Sequence, residues 1–103
     1  MVVWSEVAIS HITEFIDEAK EGTEQTAKNY MNKLIDYVDI LETMPNLGKD
    51  VQMVIYKYNV KQIIYKKHRI LYCQENDNIT ILAVLHTRLD VKKAIRSLKN
   101  GLN

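Results

Sequence analysis

The chain has 103 residues, 47% of them hydrophobic and 26% charged, with a single cysteine and a net charge of +1. Such values describe one ordinary globular domain over residues 1–103, and they exclude a disulfide-stapled scaffold and a disordered, charge-dominated chain. The charge is unevenly spread: residues 1–50 hold four basic and ten acidic side chains, net −6, whereas residues 51–103 hold ten basic and three acidic, net +7.

The opening Met-Val-Val-Trp-Ser-Glu has neither a basic nor an apolar leader region, which together with the lone Cys73 predicts a cytoplasmic protein. Val2, Val3 and Trp4 predict a short strand feeding a helix capped by Ser5, whose hydroxyl can accept from an orphan N–H of the first turn. Ala8, Ile9, Ile12, Phe15, Ile16 and Ala19 recur every three or four residues opposite Glu14, Asp17 and Glu18, so residues 5–20 read as an amphipathic helix. Glu21-Gly22 breaks it. Thr23 is placed to cap a second helix, in which Ala27, Tyr30, Met31, Leu34, Ile35, Val38 and Leu41 carry the period to about Met44. The short connection predicts an antiparallel hairpin.

Pro45, Asn46 and Gly48 end the helical half. Beyond them Val, Ile and Tyr dominate, in a loose stretch at 51–58 and then in strands at 60–66, 69–74 and 79–86. Asn76-Asp77-Asn78 marks a clear turn, while the connection before it offers only an indistinct one near Lys67-His68. The last strand is apolar at nearly every position, which suits the centre of a sheet buried on both faces; its apolar run is far too short to cross a membrane. The expected fold is therefore α+β: a two-helix antiparallel hairpin packed on a mostly antiparallel sheet of about four strands. Asp90 is placed to cap a short basic terminal helix over residues 90–103, with Val91, Ala94, Ile95 and Leu98 as its apolar stripe.

Walker-type glycine loops and G-x-S-x-G, C-x-x-C and H-E-x-x-H motifs are absent, so no cofactor and no metal is expected. Cations gather instead in the strand half, at Lys57, Lys61, Lys66, Lys67, His68 and Arg69, interleaved with Tyr56, Tyr58, Tyr65 and Tyr72. Two readings stand. Lysines along an exposed sheet edge blunt aggregation; the same residues also make an anion-binding surface for nucleic acid or an acidic protein segment. His86 ends the last strand and Arg88 follows two positions on, so both share a face if the strand runs that far. A histidine beside an arginine can serve acid–base chemistry on a held phosphate. Each also has a plain structural explanation, the histidine bonding a loop and the arginine pairing with Asp90. His11, Cys73, Trp4 and Phe15 read as structural residues.

V-V-W-S-x-x-A at residues 2–8, P-x-L-G at 45–48, V-K-x-I at 60–63, H-R-I-L-Y at 68–72 and V-L-H-x-x-x-D at 84–90 form an ordered series. In this order and spacing the chain resembles the RelE/ParE superfamily of type II toxin–antitoxin toxins over residues 2–90. The resemblance implies two helices on a mostly antiparallel sheet whose basic face an antitoxin covers. One branch of that superfamily cuts mRNA on the ribosome without a metal, the 2′-OH attacking the neighbouring phosphate; the ParE-like branch poisons DNA gyrase and is not a nuclease. For a nuclease, the candidates are Lys61, Arg69, His86 and Arg88: the resemblance implies Arg69 at a phosphate-contacting position, Lys61 at a basic position of the preceding strand and His86 at an acid–base position, and Arg88 is the further cation that could stabilise phosphate charge.

Two departures bear on the choice. Thr87 stands where nuclease members carry an arginine, and Arg88 comes one place later, which on a strand turns it to the other face. Residues 89–95 also lack the aromatic side chain those members place there. With the V-L-H-x-x-x-D form, this favours the ParE-like branch. The partners implied are a cognate antitoxin and DNA gyrase, with the ribosome and mRNA as the alternative and no membrane. Contacts are expected among Lys57, Lys61, Lys66, Lys67 and Arg69. A degenerate toxin that only binds its antitoxin is a third reading.

Overall fold

The computed structural model describes residues 1–55 and 57–90. A short strand, β1 (Val2–Trp4), leads into α1 (Glu6–Asp17) and α2 (Glu24–Val38), which runs on as a 3-10 turn over Asp39–Glu42. Four strands follow: β2 (Lys49–Ile55), β3 (Tyr58–Tyr65), β4 (His68–Glu75) and β5 (Asn78–His86). They form one five-stranded sheet in the order β1-β5-β4-β3-β2, antiparallel except that β1 runs parallel to β5. The α+β expectation holds, with five strands in place of about four. Among the described residues no helix is long and apolar enough to cross a membrane, and the expected terminal helix over 90–103 lies outside the described residues.

Ser5 starts the helical half as its position suggests. Its Oγ accepts the Ala8 N–H at 3.1 Å and donates to the Leu82 carbonyl at 3.2 Å, so one hydroxyl both caps α1 and ties it to β5. β1 pairs with β5 only at residues 79–81, and α1 takes over beyond it: the Val84 N–H donates to His11 Nδ1 at 3.1 Å. His11 is thus structural, an acceptor for a strand amide that would otherwise lack one. Thr23 departs from expectation. It sits at the cap position of α2, yet its hydroxyl donates to the Lys20 carbonyl at 2.6 Å and makes no capping bond.

The hairpin's apolar stripe buries Ala8, Met31, Leu34, Val38 and Leu41 against Ile63, Ile70, Tyr72, Ile79, Ile81 and Val84 on one face of the sheet. A fully buried Leu34 contributes about 1.5–3 kcal/mol on that count alone. The other face carries Val60, Leu71, Cys73, Leu82, Ala83 and Leu85. β5 is buried on both faces, as its composition predicts, but β4 is the middle strand of the five. The loop entering β2 hangs on one phenol: Tyr72 Oη donates to the Pro45 carbonyl at 2.8 Å and accepts the Gly48 N–H at 2.9 Å. At Gly48 a Cβ would lie 2.5 Å from that oxygen and 2.7 Å from the Gln62 carbonyl, so a side chain there would displace the loop.

Candidate functional site

The cations that form one run in sequence stand in separate places. Lys57 lies in the β2–β3 connection, its ammonium 5.7 Å from the Tyr58 ring centre, and Lys66 and Lys67 form the β3–β4 turn roughly 25 Å away along β3. Lys66 holds a left-handed backbone conformation (φ 51°) and lays its ammonium 5.6 Å from the Tyr65 ring centre. Lys61 pairs in register with Tyr72 and Arg69 with Ile64, so the two project to opposite faces: Lys61 to the helical side with Tyr72, Arg69 to the other side with Leu71 and Leu85. His86 pairs with His68 and faces the helices. Strand β5 ends there, and Arg88 lies beyond it, exposed, its backbone N–H donating to His86 Nδ1 at 3.1 Å. Lys61, Arg69, His86 and Arg88 therefore do not converge on one point.

Two cavities gather some of these residues: Lys66, Lys67 and His86 line one and Arg69 the other, while Lys57, Lys61 and Arg88 line neither. The first, of about 570 Å³, opens between the tip of the helical hairpin and the β3–β4 turn, lined by Phe15, Tyr30, His68 and His86 together with Lys66 and Lys67 from the turn and Glu18 from the hairpin. His68 is 6% exposed. Its Nδ1 shares a 2.8 Å hydrogen bond with the Tyr30 hydroxyl, Phe15 meets it edge-on at 5.2 Å, and the His86 ring lies 5.7 Å away. Burial, and secondarily the neighbouring His86, lowers the His68 pKa below the usual histidine value, which favours the neutral ring. An aromatic floor with two lysines and one glutamate around it can take a flat or apolar group, with Lys66 and Lys67 outnumbering Glu18 in favour of a negative charge.

The second cavity, of about 480 Å³, lies at the outer edge of the sheet where β2 begins, bounded by Tyr37, Leu47, Lys49, Gln62, Ile64 and Arg69. Arg69 Nη1 donates to Gln62 Oε1 at 3.2 Å and Nη2 to the Thr87 carbonyl at 3.4 Å, while its buried Nε has no acceptor among the described residues. Lys49 was invisible as a candidate, because it falls in the acidic half of the chain beside Asp50. Tyr30 read as part of the helical core period, and only the fold brings its hydroxyl to His68. Among the described residues, no group of three His, Cys, Asp or Glu side chains is placed to hold a metal ion.

A helical hairpin on one face of a five-stranded sheet, with lysine- and arginine-lined clefts at the β3–β4 end and at the β2–β3 edge, is the small α+β arrangement that the sequence resemblance implies. The profile of the ParE toxin of type II toxin–antitoxin systems (parDE) matches residues 2–91, and the chain belongs to that family. Solved structures that resemble it include a chain described as the chromosomal ParDE TA system from P. aeruginosa, with a TM-score of 0.68 over 82% of this chain and 92% of that one. At 14% identity that likeness is one of fold. No curated protein sequence matches the chain. As a toxin of a type II pair, it has a cognate antitoxin as partner.

Proposed function

We propose that this toxin arrests growth in the cytoplasm by inhibiting DNA gyrase through its basic strand half, and that an antitoxin encoded beside it restrains it by covering that half. Membership of the ParE family supports the reading. The observation that carries it is the dispersal of the nuclease candidates: Lys61 and Arg69 project to opposite faces, His86 faces the helices, and Arg88 lies past the end of β5. Metal-free RNA cleavage needs cations and a proton carrier around one phosphate, and these four residues surround no common point. A binding surface has no such requirement. Lys66 and Lys67 at a hairpin tip, beside an aromatic cavity, can engage an acidic or apolar patch of a large partner without performing chemistry.

A second reading has one observation in its favour. His68 and His86 stand 5.7 Å apart beside Lys66 and Lys67, and a histidine pair with lysines can cleave a phosphodiester. Induced expression without antitoxin, followed by mapping of transcript ends, separates the two. Growth arrest with full-length transcripts and broken chromosomal DNA is the expected result. Transcripts cut at ribosome-bound codons would overturn the gyrase reading, and healthy cells full of folded toxin would show that the chain only binds its antitoxin.

A further inference from the structure

The cleft at the β2–β3 edge has an unfinished electrostatic arrangement. Arg69 carries a full positive charge, yet both of its acceptors are neutral and both bonds are long for a charged donor. Among the described residues its buried Nε has no acceptor, an uncommon state for a buried donor and one that calls for an explanation. Lys49, paired with Gln62 across β2 and β3, adds a second cation, and among the described residues no acidic side chain lines the cleft. A guanidinium offers its donors as a planar fork that matches a carboxylate or a phosphate.

Two further features distinguish between those anions. Leu47 and Ile64 border the cleft and are 41% and 50% exposed. Aliphatic side chains beside a cation suit a peptide that alternates apolar and acidic residues, whereas a nucleic acid strand would leave them uncovered. The second feature is the sheet edge. Lys49 pairs with Gln62 as the first residue of β2, so, among the described residues, 63–65 of β3 have no strand neighbour on that side. The two-residue turn makes Tyr65 and His68 a hydrogen-bonded pair, and the alternation of the ladder then turns the Ile64 N–H and C=O outward, to the vacant edge. An extended main chain fits beside such groups. Its alternate side chains share a face, so an aliphatic residue and an acidic one two positions apart would meet Ile64 and its cross-strand neighbour Arg69.

We infer that this cleft is a carboxylate-binding subsite, in which Arg69 and Lys49 take an Asp or Glu of an extended antitoxin segment while Leu47 and Ile64 take its neighbouring aliphatic side chain. The inference rests on the antitoxin reading above for the identity of the partner. It assigns the two basic regions different tasks. Lys66 and Lys67, exposed at a hairpin tip, act in long-range attraction; Arg69, half-buried with its donors poised, acts in retention.

The test uses the full-length toxin and the protein encoded by the neighbouring gene, with association and dissociation measured separately at physiological salt. Arg69→Gln is expected to raise the dissociation rate at least tenfold, Arg69→Lys several-fold because the charge stays and the fork is lost, and Lys49→Gln about threefold. Lys66→Glu with Lys67→Glu should leave dissociation within twofold. Thermal midpoints within a few degrees of wild type establish that the variants fold. If Arg69→Glu unfolds, the Lys variant carries the test; if it folds, exchanging one antitoxin Asp or Glu for Arg should restore its binding. Unchanged dissociation in all Arg69 variants overturns the inference while the antitoxin reading stands.

A second arm needs no antitoxin. Sodium acetate titrated into isotope-labelled toxin should shift the Arg69 Nε–H resonance, and inorganic phosphate or a short single-stranded RNA should shift it less. Stronger perturbation by phosphate or RNA would make the cleft a nucleic acid site and overturn the carboxylate assignment. Failure of the wild-type toxin to bind the neighbouring gene product strikes the antitoxin reading alone, and the acetate response then decides whether the cleft takes carboxylates.

Discussion

Replacing Tyr72 by phenylalanine removes one oxygen atom and with it both hydrogen bonds that hold the loop before β2, one donated to the Pro45 carbonyl at 2.8 Å and one accepted from the Gly48 N–H at 2.9 Å. The ring stays, fully buried among Met31, Leu34 and Ile81, so no cavity opens and apolar packing is unchanged. Each buried group left without a partner costs about 1–3 kcal/mol. Both loop groups are only part-buried, so water recovers some of that, and Phe no longer desolvates a hydroxyl; the expected net loss is about 2 kcal/mol. For a chain near 100 residues, 1 kcal/mol moves the thermal midpoint by roughly 4–8 °C, so Tyr72→Phe should melt about 8–16 °C lower. Gly48→Ala perturbs the same junction from the other side, and its clash with the Gln62 carbonyl persists in the Tyr72→Phe background. Differential scanning calorimetry with reversible refolding reads both changes. A Tyr72→Phe midpoint within 2 °C of wild type would refute the claim that this hydroxyl fastens the P-x-L-G loop to the sheet.

Stability should also fall on mild acidification. His11 and His68 both have folded-state pKa values lowered chiefly by burial, so below the unfolded value near 6.5 the unfolded chain binds more protons; the stabilisation is complete above that pH and is lost as pH falls toward the folded values. Urea midpoints should therefore drop between pH 7.5 and 5.5, and His11→Gln should flatten part of that slope; an unchanged slope would contradict the acceptor role of His11. Lys66→Gly separates fold from function, because glycine adopts φ 51° without the strain a lysine bears, worth about 1 kcal/mol, and this offsets the extra freedom of the unfolded chain. Its thermal midpoint should match or exceed wild type while antitoxin association slows. Association should also slow steeply with added salt and with charge reversal at Lys66 and Lys67, and should not respond to reversal at Glu14 or Asp17 on the acidic helix; stopped-flow rates insensitive to both would place the antitoxin elsewhere.

The helices were legible because burial on one face imposes a three-to-four-residue period, and Ser5 caps α1 as its chemistry suggests. Their ends were less so: α1 stops at Asp17, and α2 gives way to a tighter 3-10 turn after Val38. The fifth strand was hidden by its own irregularity. Between Asp50 and Val54 the β2–β3 register shifts, Gln52 takes a positive φ of 58°, and Asp50 accepts its N–H at 2.6 Å, so the alternation that reveals a strand is broken. The β3–β4 turn was indistinct because it is Lys66-Lys67, without glycine or asparagine at the left-handed position. That turn sets the register, and the register decides which cations share a face. The sequence therefore showed a basic half but not that Lys66 and Lys67 line one cavity and Arg69 another, nor the part Lys49 takes beside Arg69.

Purified DNA gyrase, relaxed plasmid and ATP, incubated with the toxin at the concentration that arrests growth, test the central claim most directly. Supercoiling should stop, linear DNA should accumulate when trapped complexes are denatured, and prior addition of the antitoxin should prevent both. Undiminished supercoiling with no trapped cleavage complex, from folded toxin that arrests growth, would contradict the account.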